Sequence, residues 1–168
     1  MNSIKKSIIT GIVISSIGTA VFASDMTHSE LYIQPEFGSI KIEDSSNTAY
    51  GASIGYDLEH SSGVYFGADL GYLAISTDNG SASDTAMPIG LKLGYDIYKG
   101  VTPYAYAGMT IVGSDLSGYI YGGGAKYQII DHVAIDASFT TGNIDAGFGP
   151  SLSYTQALVG FKFNFSMY

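Results

Sequence analysis

Apolar and polar residues alternate strictly in many segments of this chain, and this alternation limits what the chain can fold into. The final segment, LVGFKFNFSMY at 158–168, places Phe161, Phe163 and Phe165 on one parity and polar residues on the other. Because successive side chains of a strand point to opposite faces, a period of two predicts a strand with one apolar and one polar face. After residue 24, no apolar stretch approaches the about twenty residues that a membrane-spanning helix needs.

Eight such segments of roughly ten to fifteen residues are separated by clusters of Gly, Ser, Asn and Asp. A transmembrane strand needs about eleven residues, so eight strands leave room for turns in a chain of this length, whereas ten leave almost none. We therefore predict an all-β fold, a closed antiparallel eight-stranded transmembrane up-and-down β-barrel. The predicted strands are 30–42, 47–58, 63–76, 85–98, 102–113, 117–130, 132–141 and 152–167.

The first residues have the features of a secretory signal peptide. A basic region with Lys5 and Lys6 precedes an apolar run, and Ala23 ends a small-residue cleavage site. We expect residues 1–23 to be removed and residues 24–168 to form one barrel domain. The chain has no cysteine, so an exported form would have no disulfide framework and would depend on its sheet for stability.

Residue parity indicates which face of each strand meets lipid. In the fourth segment, Ile89, Leu91 and Leu93 share one parity, and Gly90 and Lys92 share the other. A soluble barrel would carry many charges on its outer face, yet only 13% of the residues are charged. We therefore predict that the bulky face meets lipid and that the glycine-bearing face lines a narrow interior, because only a closed barrel leaves no strand edge unpaired in lipid.

Seven charged residues lie on the glycine-bearing parity and are predicted to point into the barrel. Buried charges are tolerated only when they are paired, and eight strands enclose an interior that side chains nearly fill, so we predict a salt-bridged plug. A narrow, cation-preferring channel for small solutes is the alternative, since acids outnumber bases in this set by four to three. The set is Glu36, Asp69, Lys92, Asp96, Lys126, Asp136 and Lys162.

A repeated motif marks the ends of even-numbered strands. GYDL at 55–58 recurs as GYDI at 94–97, and Tyr127 takes the place of the tyrosine in a third, looser copy. Tyrosine favours a membrane interface, where its ring and its polar tip are both accommodated. Tyr56, Tyr95 and Tyr127 are therefore predicted to form an aromatic girdle.

The signal peptide, the eight alternating segments, the GYD strand ends and the aromatic C-terminus resemble the small eight-stranded outer-membrane barrels of Gram-negative bacteria, of the OmpA, OmpX and opacity-protein type. The resemblance implies location in the outer membrane, with both termini and the girdle on the periplasmic side. It also implies that the last strand carries a signal for the barrel-assembly machinery. In this chain that signal is Phe161, Phe163, Phe165 and Tyr168, although Tyr168 is out of phase with the alternation.

The negative net charge of the chain limits which molecules it can bind. Removal of Lys5 and Lys6 would change the formal net charge from −8 to −10, so we expect no nucleic-acid partner. The predicted outer loops at 43–47, 77–84, 113–117 and 142–151 carry acids and no Lys or Arg. Their carboxylates are either solvated or bridged by divalent cations to lipopolysaccharide phosphates. We expect a monomer in contact with membrane lipid and lipopolysaccharide, with a structural or surface role such as membrane integrity or weak adhesion.

No catalytic residue, cofactor or metal site is predicted, and we expect no enzyme activity. A lipid-modifying enzyme would need a base beside a nucleophile near the outer leaflet, but His28 follows the cleavage site, and His60 and His132 lie in predicted periplasmic turns. The segment DNGSASD at 78–84 lacks the Gly and Glu positions of a calcium loop, and GGGAK at 122–126 lacks the spacing of a phosphate loop.

One local irregularity is predicted in the first strand. The apolar parity changes between Phe37 and Ile40, and Pro35 cannot donate a backbone hydrogen bond. We therefore expect a β-bulge at Gly38 and Ser39.

Overall fold

The computed structural model describes residues 26–76, 82–98, 100–113, 116–145 and 151–166. These residues form eight antiparallel strands that pair in sequence order and close into one barrel, which confirms the predicted fold class. No helix within these ranges is both long and apolar enough to cross a membrane. The strands are β1 (Met26–Ile42), β2 (Ser45–His60), β3 (Val64–Ser76), β4 (Ala82–Tyr95), β5 (Val101–Val112), β6 (Leu116–Ile130), β7 (Val133–Asp145) and β8 (Leu152–Ser166).

β1 and β8 close the barrel, in a register that places Glu30 opposite Ser166 and Ile42 opposite Tyr154. The start of β1 and the end of β8 therefore lie at the same end of the barrel, which we call the terminal end. The connections that follow β2, β4 and β6 are also at the terminal end. The connections that follow β1, β3, β5 and β7 lie at the opposite end, which we call the far end. The predicted signal peptide, residues 1–23, lies outside the described residues.

Side chains alternate between the outer wall and the interior along each strand. In β1, Tyr32 and Gln34 are buried, whereas Ile33 and Phe37 are exposed on the outside. Large hydrophobic residues are exposed on all eight strands. The outer wall is therefore apolar all the way round the barrel, in the parity that the alternation predicts.

β1 continues regularly through Gly38 and Ser39, so the predicted bulge is wrong. Its pairing with β2 keeps an unbroken register there. Ile40 is fully buried inside the barrel, so the apparent change of parity arises from an apolar interior residue and not from a kinked strand. Packing explains the glycine at position 38, because a Cβ there would collide with the backbone carbonyl of Ala157 on β8.

Several strand boundaries differ from the prediction, among them those of β4 and β7. β7 extends past residue 141 to Asp145, because Ile144 is buried and pairs with both neighbouring strands. β4 begins at Ala82, so Asp84 belongs to a strand and not to a loop. β4 also ends at Tyr95, which leaves Asp96 in the connection to β5.

Candidate functional site in the barrel interior

A carboxylate on β2 binds two lysines in the half of the interior nearest the terminal end. Lys162 of β8 donates a hydrogen bond to Asp57 Oδ2, and Lys126 Nζ of β6 lies 3.9 Å from the same oxygen. The Tyr65 hydroxyl donates to Asp57 Oδ1 at 2.8 Å. All four residues are buried. We call Asp57, Tyr65, Lys126 and Lys162 the Asp57 cluster.

A second group lies next to it, farther from the terminal end. Lys92 Nζ of β4 is 2.9 Å from Asp69 Oδ2 of β3. The hydroxyls of Tyr32 and Tyr106 donate to Asp69 at 3.4 and 3.3 Å. We call Asp69, Lys92, Tyr32 and Tyr106 the Asp69 cluster. Lys92 Nζ also donates to the Tyr32 hydroxyl at 3.3 Å, so this lysine is held on two sides.

Tyrosine rings separate the three lysines. Lys162 Nζ lies 3.6 Å from the centroid of the Tyr32 ring, and Lys126 Nζ lies 4.6 Å from that of Tyr65. Lys92 Nζ is 5.2 Å from the centroid of the Tyr104 ring. A cation over an aromatic face is attracted by the ring quadrupole, more strongly where water is excluded. The rings therefore stabilise three ammonium groups that share few carboxylates.

Glycines make room for these rings. A Cβ at Gly55 would collide with the ring of Tyr32, and a Cβ at Gly124 would collide with the ring of Tyr104. Both glycines belong to strands that pair with the strand bearing the tyrosine. The glycine-bearing parity of the sequence therefore reflects an interior in which tyrosine rings lie against neighbouring backbone.

The structure places most of the sequence-predicted charges inside the barrel. Asp96 differs, because it lies beyond the end of β4 and forms no ion pair with any lysine in the described part of the chain. Glu36 has a single hydrogen-bond partner, Gln34 Nε2 at 3.1 Å, and the Tyr104 hydroxyl donates to Asp136 Oδ1 at 2.6 Å. The predicted residues on the interior face are Glu36, Asp69, Lys92, Lys126, Asp136 and Lys162.

Sequence reasoning missed Asp57 and the interior tyrosines. Asp57 shares the parity of Ser53 and Gly55, which was available evidence for an interior position. The predicted set of interior charges nevertheless omits it. Glu30 was also missed because the predicted first strand began at that residue, whereas β1 begins at Met26 and buries Glu30.

An apolar layer fills the interior nearer the far end. Leu73, Val112, Ile120 and Ile144 are each at most 1% exposed, and they pack in one cluster with Tyr154. These residues come from β3, β5, β6, β7 and β8, so the layer crosses the barrel. The interior therefore consists of charged clusters towards the terminal end and an apolar layer towards the far end.

A cavity of about 570 Å³ opens at the terminal end. Asp96, His28 and His132 line it, together with the buried Lys126. Among the described residues, no group of three or more His, Asp and Glu side chains is arranged to hold a metal ion. His60 is the last residue of β2, and its Nδ1 accepts a hydrogen bond at 3.2 Å from the backbone of Ser62 in the turn that follows.

The predicted girdle and assembly residues lie on the outer wall where they are described. Tyr95 and Tyr127 are exposed, whereas Tyr56 is half-buried and its hydroxyl is hydrogen-bonded to Ser29 Oγ. Phe161, Phe163 and Phe165 are exposed on β8, and Tyr168 lies outside the described residues. A further group of exposed tyrosines lies nearer the far end, and sequence reasoning did not assign it to an interface. This group is Tyr50, Tyr72, Tyr119 and Tyr121.

A closed eight-stranded barrel with an apolar outer wall and a polar, largely filled interior defines a small β-barrel protein of the membrane. The sequence profile of the outer membrane protein beta-barrel domain matches residues 10–165. The chain therefore belongs to this family, and it is an outer-membrane protein of Gram-negative bacteria. No curated protein matches its sequence.

Solved structures of small outer-membrane barrels share this fold. Neisserial surface protein A (NspA) is 15% identical, with a TM-score of 0.59 over 83% of this chain and 99% of that chain. Ail of Yersinia pestis, in complex with the heparin analogue sucrose octasulfate, is 13% identical, with a TM-score of 0.59 over 84% and 99%. The N-terminal barrel domain of Pseudomonas aeruginosa OprF is 20% identical, with a TM-score of 0.50 over 83% and 99%. At these identities the similarity concerns the fold alone.

Proposed function

We propose that the protein is a non-conducting structural barrel that stabilises the outer membrane and presents a small acidic surface outside it. The observation that carries this proposal is the filled interior, in which the Asp57 and Asp69 clusters are followed by the apolar layer. An ion that crosses the barrel would have to displace paired charges and then enter a region lined by aliphatic side chains, where it loses its hydration. No catalytic step is part of this proposal.

The proposed surface role rests on the charge of the far end. Glu43, Asp44, Asp84 and Asp145 are exposed there, and Lys41 is the one exposed lysine among the described residues. A polysulfated sugar such as the ligand of Ail would be repelled by this surface, so we do not extend that ligand to this chain. Divalent cations that bridge these carboxylates to lipopolysaccharide phosphates are more compatible with the negative charge of the far end than a direct anionic ligand is. Co-purification of lipopolysaccharide that survives chelation of divalent cations would contradict this contact.

Electrical recording in planar lipid bilayers tests the closed interior. Purified protein should insert without stepwise ion current, because two successive layers of side chains block the barrel. A steady, cation-preferring current would contradict the proposal and favour the narrow channel. The variant Glu36→Gln is the control for such a current. A current through the barrel should change when this interior carboxylate is neutralised, and a contaminant current should not.

The route to the membrane is also a proposal. We propose that residues 1–23 direct export and are removed, and that Phe161, Phe163, Phe165 and Tyr168 engage the assembly machinery. The phenylalanines are exposed on the closing strand β8, where they could contact the assembly machinery, and this supports the second proposal. An intact mass that corresponds to residues 24–168 in protein purified from outer membranes tests the first. Reduced insertion of a Phe163→Ser variant tests the second.

A further inference from the structure

A small cavity lies in the middle of the barrel, beside Asp69, Lys92 and Tyr106 of the Asp69 cluster. Its volume is about 30 Å³, enough for one or two water-sized species. It is separate from the large cavity at the terminal end, because the two share no lining residue. Its lining includes the side chains of Gln34, Glu36, Asp69, Lys92, Asp136 and Thr140.

Three buried oxygen atoms that line this cavity lack a partner. Gln34 Oε1, Asp136 Oδ2 and Thr140 Oγ1 have no hydrogen bond within the described structure, and these residues are only 2–4% exposed. Buried polar atoms are rarely left unsatisfied, so three around one cavity indicate that a species inside it satisfies them. The amide oxygen and the carboxylate oxygen can only accept, which means that this species must donate hydrogen bonds or carry positive charge.

The charges around the cavity do not balance. Three carboxylates line it, those of Glu36, Asp69 and Asp136, against the single ammonium of Lys92. Lys92 is already paired with Asp69 at 2.9 Å. In the described part of the chain, no lysine forms an ion pair with Glu36 or with Asp136. With both carboxyl groups ionised, the cavity has two formal negative charges in excess, which a neutral water molecule would leave uncompensated.

The strand register brings these two carboxylates towards one another. Glu36 on β1 and Asp136 on β7 both pair with Gly160 on β8, which lies between them. Because Gly160 has no side chain, the Gln34 side chain can lie directly against it. A Cβ at Gly160 would lie 2.8 Å from Gln34 Nε2, so a side chain there would displace the amide that bonds to Glu36.

We propose that this cavity binds a small monovalent cation of the sodium class, dehydrated or with a single water molecule. The negative excess requires a cation, and the volume excludes an ion with a full hydration shell. Amide, hydroxyl and carboxylate oxygens are the donors that hard cations prefer. A divalent ion fits less well, because the described residues contain no cluster of three metal-binding side chains.

Thermal unfolding of the detergent-solubilised full chain tests this binding, with circular dichroism as the readout. A cation that binds only the folded state at ten times its Kd increases the folding equilibrium constant by about tenfold. The unfolding midpoint should therefore be about 3–6 °C higher in sodium chloride than in N-methylglucamine chloride at equal ionic strength. The double variant Glu36→Gln, Asp136→Asn keeps the shapes of both side chains and should lose this difference.

The matched control is Asp145→Asn, which neutralises an exposed carboxylate on the same strand β7 and should keep the difference. If the double variant does not fold, Glu36→Gln alone should show a smaller difference than the parent. Equal midpoints of the parent in sodium, potassium and N-methylglucamine salts would overturn the proposal and leave water as the occupant. A sodium effect of full size in the double variant would also overturn it, because the ion would then bind elsewhere.

Discussion

Substitution of Asp57 by alanine is expected to destabilise the folded barrel by about 3–5 kcal/mol, because it leaves two buried ammonium groups without their shared carboxylate. Lys162 and Lys126 both depend on Asp57, and Tyr65 would lose the acceptor of its hydroxyl as well. The effect should appear as a lower urea midpoint for folded protein, measured from the fraction that migrates as the compact band on unboiled SDS gels.

Two further variants separate the ion pair from a general loss of packing. Asp145→Ala removes an exposed carboxylate and should change stability by no more than about 0.5 kcal/mol. Asp57→Asn combined with Lys162→Met removes both partners of the closest pair and should recover part of the loss, since fewer buried charges are left unpaired. If Asp57→Ala is as stable as Asp145→Ala, the Asp57 cluster does not hold the interior together.

A positive charge on the outer wall is expected to be almost as damaging. Ile89 is 40% exposed and lies three positions on its face away from Tyr95 of the predicted girdle, towards the middle of the barrel wall. Arginine near the middle of a bilayer costs about 2–4 kcal/mol on a barrel wall. Ile89→Arg should therefore lower the urea midpoint of protein refolded into lipid vesicles. On a wall that faced water, an arginine at so exposed a position would be tolerated.

The control for this substitution is Thr48→Arg, which places the same charge on an exposed outward position near the far end. Its expected cost is at most about 1 kcal/mol, because the cost falls towards the interface. Equal and small effects of the two arginines would show that the wall does not face hydrocarbon.

The alternation of residues was sufficient to predict the barrel, because parity is a local property of a strand. It assigns Leu93 to the outside and Lys92 to the inside without any knowledge of neighbouring strands. All eight strands were found for this reason. Their ends moved where pairing continued beyond the alternating residues, as at Ile144, or where the strand stopped before them, as at Tyr95.

The interior network could not be derived in the same way. Lys162 and Asp57 are 105 residues apart, and their contact depends on how the strands stagger around the closed barrel. The apolar layer was missed for a different reason. Hydrophobicity was used to identify the outer face, so an interior apolar residue such as Ile40 looked like a change of phase. At Ile40, this assumption led to the incorrect prediction of a bulge.

The central claim is that the apolar wall faces lipid around a closed, filled barrel. It is tested most directly by circular dichroism with and without detergent, combined with SDS gels of boiled and unboiled refolded protein. We expect a β-rich spectrum only in detergent or lipid, and an unboiled band that shifts on boiling, because the closed barrel resists SDS until heat unfolds it. A β-rich fold in plain buffer, with no shift on boiling, would contradict the claim and indicate a soluble β-protein.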